Sequence, residues 1–359
     1  MKLKKIIAIV SIAITCVLGQ TGVNDNSIVL GQSVALKGPA KALGKGMNTG
    51  AQAYFSYINE KGGVHGRKIK LLVADDKYEP RKTIKNTNKF INEDKVFALF
   101  GEVGTPTSKV AVPIAKEAGV PFLTPFTGAE FLRTPLSPLI VNFRGSYYSE
   151  TDALVEYFTT TKGFNRIAIL YQNDGYGKAG LNGVLKAMKK RGLSLVAQDH
   201  YKRNTLAIQK ALKTIKAAKP DAVIMIGAYK PCATFIKQAR KAGMNNTYFG
   251  NISFVGSKAL IKNLKGNATN VIISQTVPLP WDTSNLAVKE YQKIFKKYTK
   301  GTDFGFVSLE GFLAAKLIVK GMEKAGKDLT IKSLLTGLES LDNNALEGLN
   351  ITLDKNDHQ

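Results

Sequence analysis

The sequence predicts an α/β protein of two lobes, each built on a doubly wound parallel sheet, joined by crossover hinge strands. Runs rich in Val, Ile and Leu alternate with segments of helical periodicity from Ile28 to about Asn251. Such continuous apolar strands are typical of parallel sheets that helices cover on both faces. The order then changes, because a last strand at residues 271–277 is followed by mostly helical sequence over residues 286–338. The length of 359 residues suits about two domains.

Each predicted element has its own pattern. Strands are predicted for the short apolar runs at residues 28–36, 69–74, 96–100, 121–124, 166–171, 193–198, 222–226, 247–251 and 271–277. Helices are predicted for the amphipathic segments at residues 47–60, 81–92, 107–118, 149–161, 178–190, 206–217 and 233–242. These strands and helices form two successive series, which join near residues 142–148. In open parallel sheets, ligands bind beyond the carboxyl ends of the strands, so the loops there are expected to line one cleft.

The first residues differ from the rest of the chain, whose 44% hydrophobic and 22% charged residues are ordinary for a soluble protein. A basic start and an apolar run at residues 6–18 precede Gly19. This is the plan of a signal peptide, and it predicts that residues 1–19 direct export to the periplasm. The run is shorter than the about 20 apolar residues of a membrane span. An uncleaved anchor and a lipoprotein acylated at Cys16 stay open as alternatives.

The net charge of +24, or +21 without the three signal lysines, could attract nucleic acid, anionic membranes or anionic ligands. The lysines are spread over nearly every predicted helix and accompany no nucleic-acid motif, so no nucleic-acid partner is predicted. Cleavage would leave Cys232 as the one cysteine, which excludes an internal disulfide. With three histidines in the chain, no metal site is expected, and no cofactor is predicted.

The loop at residues 101–107 carries the first candidate binding residues. Thr105 and Thr107 lie near a predicted helix start, where unpaired N–H groups and the helix dipole favour a bound carboxylate. The alternative is a threonine that only caps the helix.

The loop at residues 124–130 carries the second set. Thr127 and Gly128 follow an apolar strand, and a glycine there lets the backbone approach a ligand closely. Phe126 could supply an apolar wall. A tight turn with core packing is the alternative.

A third loop contains a nucleotide-binding pattern. Gly175, Gly177 and Gly180 follow a strand with the spacing G-x-G-x-x-G, and Asp199 lies about twenty residues further on. Against this interpretation, Asp174 precedes the first glycine and would repel a pyrophosphate, and a tyrosine stands where the backbone must approach phosphate.

No other catalytic pattern is complete. Gly38 and Gly44 are one residue too far apart for a P-loop, and the sequence has no G-x-S-x-G, H-E-x-x-H or C-x-x-C motif. No catalytic residue is therefore predicted, and the chain is expected not to be an enzyme.

Several motifs of the sequence stand out together, and the most specific is N-E-K-G-G-V-H-G-R at residues 59–67. They resemble those of the branched-chain amino acid (leucine-binding type) solute-binding proteins of ABC importers. The resemblance runs from about Ile28 to Leu353 and also rests on residues 38–39, 75–76, 101–107 and 238–243. It implies a type I periplasmic binding protein fold, whose lobes close over the solute on three crossover strands.

The resemblance also implies which residues contact the solute. Matched position by position, these are Thr105, Phe126, Gly128 and Tyr176, with Tyr229 near another contact. Leu43 stands where the family has an aromatic residue, and the acid that holds a ligand's ammonium falls near Ser253, where this chain has no acid. These departures argue against an α-amino acid ligand.

The resemblance further implies the domain division. The first lobe would comprise residues 27–147 and 277–345, and the second would comprise residues 148–276 and 346–359. Family members usually continue beyond such a terminal Asp-His-Gln into a further strand, so a last strand is expected to be missing.

The function expected from these observations is that of an extracytoplasmic binding protein of an ABC importer. It would capture a small amino-acid-like or organic-anion solute in the interlobe cleft and, as a monomer, meet a permease in the inner membrane. The alternatives are a periplasmic ligand sensor for a membrane kinase or chemoreceptor, and a nucleotide-dependent enzyme.

Overall fold

The structure is a computed structural model that describes residues 20–359. The predicted signal peptide and Cys16 lie outside these residues. The strands are β1 (Ser27–Val34), β2 (Lys68–Asp75), β3 (Ala98–Phe100), β4 (Phe122–Leu123), β5 (Ile140–Val141), β6 (Ile167–Gln172), β7 (Ala197–Tyr201), β8 (Ala222–Ile226), β9 (Tyr248–Asn251) and β10 (Val271–Ile273). The helices are α1 (Lys41–Glu60), α2 (Pro80–Asn92), α3 (Thr105–Glu117), α4 (Tyr147–Glu156), α5 (Gly175–Lys190), α6 (Gln209–Ala217), α7 (Tyr229–Lys241), α8 (Ser257–Leu264), α9 (Leu286–Thr299), α10 (Phe306–Ala325) and α11 (Ile331–Glu339).

Each lobe is built on a parallel sheet of five strands. The order is β2-β1-β3-β4-β5 in the first lobe and β10-β9-β8-β6-β7 in the second. Every residue of β8 is buried, as expected for a strand that helices cover on both faces. The fold class predicted from the sequence is confirmed.

The chain passes from the first sheet to the second over residues 142–146 and returns over residues 274–285. Helix α10 then packs along α1, and α11 packs on α10. Residues 346–359 were expected in the second lobe, but the backbone N–H of Asn142 donates to His358 O at 2.8 Å, directly after β5. The last residues therefore lie against the first sheet, where His358 also contacts Ile140 O through Nδ1 at 3.2 Å. The other domain boundaries stay a prediction.

Some elements differ from the sequence prediction. Neither β5 nor α8 was predicted, and β7 begins later than the strand expected at residues 193–198. Helix α1 begins at Lys41, before the expected start at residue 47. The sequence pattern missed its first turns because the glycines there have low helix propensity. Gly44 is nevertheless required there, since a side chain at this position would collide with the Ala35 carbonyl.

Over residues 20–359, no helix combines the length and the apolar character needed to cross a bilayer. In the same range, no group of three or more acidic, histidine or cysteine side chains is arranged to hold a metal ion.

Candidate functional site

The N-terminus of α3 lies at the carboxyl end of β3, and no side chain caps it. Gly104 precedes the helix at φ +107°, which disfavours other residues, and the Tyr78 ring fills the space where a Cβ would stand. The Thr107 hydroxyl has two acceptors in its own loop, Val103 O at 2.6 Å and Gly104 O at 2.8 Å, and the Ser108 hydroxyl donates to Gly104 O at 2.7 Å. Thr107 therefore satisfies its own loop, and Thr105 is the candidate that remains at the helix start.

Thr105 and Thr127 form a pair of buried hydroxyls whose Oγ1 atoms lie 2.7 Å apart. One hydrogen serves this bond, so the other hydroxyl can donate to a third group. The next residue, Gly128, allows a close backbone approach, as expected from the sequence. The group that approaches it is the chain's own backbone at Tyr147 and not a ligand. The Tyr147 N–H donates to Gly128 O at 2.7 Å, and a Cβ on Gly128 would lie 2.7 Å from Tyr147 N.

Aromatic rings from both lobes meet beside this pair. Phe254, in the loop after β9, has the Tyr176 ring at 4.5 Å and the Phe126 ring at 5.6 Å between centroids. Tyr78 and Tyr147 lie at 6.2 and 6.5 Å from the same ring. The tilted and edge-on geometries are the favourable ones for aromatic pairs. All five rings are buried, and they form what we term the aromatic cluster.

The Tyr147 hydroxyl is buried without a hydrogen-bond partner. Burial raises the pKa of this phenol to about 12, so it stays a proton donor. The Thr127 hydroxyl is near enough to oppose this rise in pKa, although the two groups do not reach hydrogen-bond geometry. Buried polar groups without partners are uncommon, and an acceptor oxygen on a solute would satisfy this one.

Leu43 and Tyr229 lie in a second part of the interlobe region. Leu43 and Gly256 meet across the lobes and line a groove of about 470 Å³, together with Phe306 from α10. The Tyr229 hydroxyl accepts a hydrogen bond from Ala42 N at 3.3 Å. The candidate site thus has an inner aromatic part and an outer groove.

Direct contacts hold the two lobes together beside the cluster. Arg203, after β7, places Nη2 3.1 Å from Glu79 Oε2 of the first lobe, and Asn204 Nδ2 donates to Glu79 Oε1 at 2.6 Å. These three residues form an interlobe latch.

The glycine pattern before α5 has a packing explanation. Asp174 caps the helix, because its Oδ1 accepts from the backbone N–H groups of Tyr176 at 2.9 Å and Gly177 at 3.4 Å. Gly177 packs against the Gln172 carbonyl, and Gly180 packs against Ile226. A carboxylate therefore occupies the place where a pyrophosphate would bind, and the geometry does not favour a nucleotide.

A family model described as periplasmic binding protein matches residues 27–359. The chain belongs to the periplasmic binding protein family. Leu/Ile/Val-binding protein homolog 3 of Brucella melitensis is 24% identical over 323 residues, which are 88% of this chain and 84% of that protein. The Leu/Ile/Val-binding protein of Escherichia coli is 25% identical over 216 residues, or 60% of this chain and 59% of that protein.

Solved structures agree with this family. A possible leucine/isoleucine/valine-binding protein from Rhodopirellula baltica is 34% identical with a TM-score of 0.86, covering 94% of this chain and 93% of that one. A substrate-binding periplasmic protein from Ralstonia solanacearum is 28% identical with a TM-score of 0.86, covering 92% and 94%. The relatives are solute-binding proteins, and this binding protein is not an enzyme.

Ser253 of this binding protein is engaged in a buried charge network at the first crossover. Glu150 accepts hydrogen bonds from Ser253 N at 2.7 Å and from Ser253 Oγ at 2.9 Å. Arg144 donates to Ser253 Oγ at 2.6 Å and to both oxygens of Glu310, at 2.8 and 2.7 Å. Burial opposes the charge on Arg144, but Glu310 more than compensates and raises its pKa. The next residue, Phe254, belongs to the aromatic cluster.

The structure thus divides the predicted site residues of the binding protein into three groups. Five lie at the inner site, namely Thr105, Phe126, Thr127, Gly128 and Tyr176. Leu43 and Tyr229 border the outer groove region. Thr107 and Ser253 are hydrogen-bonded to other groups of the protein.

Sequence reasoning missed several residues of the site. Tyr78 and Phe254 each follow a strand closely, so the expectation about loops after strands could have found both. Tyr147 and Arg144 follow β5, which the sequence did not reveal, and no local signal marked them.

Proposed function

We infer that this chain captures a small carboxylate-bearing solute between its lobes in the periplasm and delivers it to an ABC permease, acting as a monomer. The solute would be amino-acid-like or another organic anion. The observation that carries this proposal is the uncapped N-terminus of α3, with the Thr105 and Thr127 hydroxyls beside rings of both lobes. Helix N-termini attract carboxylates through their free N–H groups and dipole. The family description and the names of the relatives support solute binding, and the family description and the Ralstonia solanacearum structure's name support a periplasmic location.

A thermal-shift screen of amino acids, aliphatic and aromatic carboxylates and purines tests the proposal. A ligand at a hundredfold excess over its dissociation constant stabilises the folded state by about 2.7 kcal/mol. We expect a carboxylate-bearing compound to raise the melting temperature. If purines stabilise the protein and no carboxylate or amino acid does, the proposed function is wrong.

Thr105→Val locates the binding event. Loss of a hydrogen bond to a charged group should weaken binding by about 1.5–3 kcal/mol, measured by titration calorimetry with the best compound from the screen. Thr87→Val is the matched control, because the Thr87 hydroxyl in α2 is also buried but has no partner. Equal affinities for both variants would place the site elsewhere.

A further inference from the structure

A solute that carries an ammonium group needs an anionic partner when it is buried, because an unpaired buried charge is very unfavourable. The acids around the interlobe site therefore limit which solutes it can hold.

Two of these acids are used in the network at the first crossover. Both oxygens of Glu150 accept hydrogen bonds from Ser253, and a third donor, Ser274 Oγ, lies 2.6 Å from Oε2. Glu310 is bound through both oxygens to Arg144, which also lies 3.6 Å from Glu150. Neither carboxylate has a free oxygen directed at a solute.

Two further acids, beside the aromatic cluster, are also paired. Asp174 caps α5 with one oxygen, and its other oxygen lies 3.1 Å from Arg203 Nη1. Glu79 is held by Arg203 and Asn204 in the latch. A cation from the solute would have to displace an arginine from either one.

Glu102 differs from these four acids, because no hydrogen bond holds its carboxyl group. Its carboxyl is buried and neither oxygen has a hydrogen-bond partner. Burial, with a smaller contribution from Asp76, raises the pKa of this carboxyl well above its usual range, although the Ser33 backbone opposes the rise. The raised pKa favours the protonated, neutral form. Asp76 itself accepts hydrogen bonds from the hydroxyls of Ser33 and Thr83, at 2.9 and 3.2 Å.

The inner site offers donors and flat apolar surfaces instead of acids. The donors are the N-terminus of α3, the Thr105–Thr127 pair and the unpartnered Tyr147 hydroxyl. Phe254 supplies a central ring, and Phe126 has a guanidinium on its face, 4.1 Å from the ring centroid. Donors of this kind bind carboxylate oxygens. The rings now pack against one another, so a planar apolar body would stack on them by taking the place of these ring contacts.

We propose that the inner site takes a carboxylate with a flat, apolar body and no ammonium group. This inference rests on the proposed function and names the solute class of the same site. On this inference, the site excludes amino acids because the acids around it are already bonded to the protein's own donors.

Matched pairs of compounds test it, because the members of each pair differ mainly at the amino-bearing carbon. Titration calorimetry on the purified protein would compare 3-phenylpropanoate with L-phenylalanine, and 4-methyl-2-oxopentanoate with L-leucine. We expect the amine-free member to bind at least about tenfold more tightly in each pair, and 3-phenylpropanoate to bind more tightly than 4-methyl-2-oxopentanoate.

Two results would overturn the inference. One is an amino acid that binds as tightly as its amine-free partner, which would leave the proposed function standing. The other is the absence of binding by all four compounds. Failure of the proposed function is a separate result, namely no response to any carboxylate or amino acid in the wider screen.

Glu102→Gln tests whether the one remaining acid, Glu102, pairs with the ammonium group of a ligand. If Glu102 loses its proton to pair with a ligand ammonium, this variant should lose amino-acid binding, and the inference is wrong. If the inference is right, the affinity for 3-phenylpropanoate should change less than about twofold, while Thr105→Val lowers it more than about tenfold.

Discussion

The loops before α3 and α5 make an instructive comparison, because both connect a strand to a helix at the interlobe cleft and both contain one acid. Before α5, Asp174 turns onto the helix and satisfies two backbone N–H groups. Before α3, Glu102 is buried without a hydrogen-bond partner, and Gly104 occupies the cap position without a side chain. One helix N-terminus is therefore capped by a side chain of the protein itself, and the other has no side-chain cap.

The difference shows that the position of a carboxylate decides whether the protein itself caps the helix that follows a strand. The α5 loop carries the G-x-G-x-x-G pattern but has its anion site filled by Asp174. The α3 loop has no such motif, and no side chain caps the helix that follows it. Changes to these two acids, and to the latch beside them, test the comparison.

Glu102→Gln should give the largest effect, an increase in stability at neutral pH. For an acid whose pKa rises on folding, the folded state binds the proton more tightly than the unfolded state. Stability is then highest at low pH and is lost as the pH rises from the unfolded value through the folded pKa. A neutral amide avoids this loss, and we expect Glu102→Gln to be more stable than wild type at pH 7.5 in urea denaturation, by more than the about 0.5 kcal/mol scatter of surface substitutions.

The gain should vanish below about pH 4, where the carboxyl is protonated in both states. Glu117→Gln, at an exposed position of α3, is the control and should change stability by less than about 0.5 kcal/mol. A Glu102→Gln protein that is less stable than wild type at pH 7.5 would show that the carboxylate has a partner after all.

Asp174→Ala should have the next largest effect, in the opposite direction. It removes the helix cap, and loss of a cap of this type costs about 0.5–2 kcal/mol. Thermal or urea denaturation measures the loss. Asp174→Asn keeps an oxygen that can accept from Tyr176 N and should lose less. If Asp174→Ala is as stable as wild type, the cap is not what closes the α5 terminus.

Arg203→Met should have the smallest effect, because the latch is partly exposed. We expect about a twofold to fivefold weaker affinity for the best carboxylate, within the range of about 0.2–1 kcal/mol for such ion pairs. The difference should shrink at high salt. Arg191→Met is the control, since Arg191 pairs with Asp152 inside the second lobe. If both variants lose affinity equally, the latch has no specific role in the closure of the two lobes.

Most of the fold could be predicted because its strands are apolar runs. Residues 222–226 were predicted with the bounds that β8 has, since a fully buried strand leaves an unbroken apolar signal. β5 was missed because its two residues are too few to show a pattern.

The site could be predicted only where it depends on local sequence. Thr105 and Tyr176 follow strands, so topology alone places them at the cleft. The pairing of Arg144 with Glu310 joins residues 166 positions apart, and no spacing in the sequence reports it. Asp199, which the glycine pattern singled out, accepts from the Thr214 hydroxyl at 2.8 Å and supports the second lobe.

The buried Cys232 has a practical consequence for spectroscopy. Burial raises the pKa of its thiol, and alkylating reagents attack thiolates, so this group should not react in the folded protein. Cysteines introduced at the exposed positions Lys82 and Lys202, one on each side of the latch, should then be the ones that take fluorescent or spin labels. The opening of the two lobes could be followed as a distance between probes without first removing a native cysteine from the core.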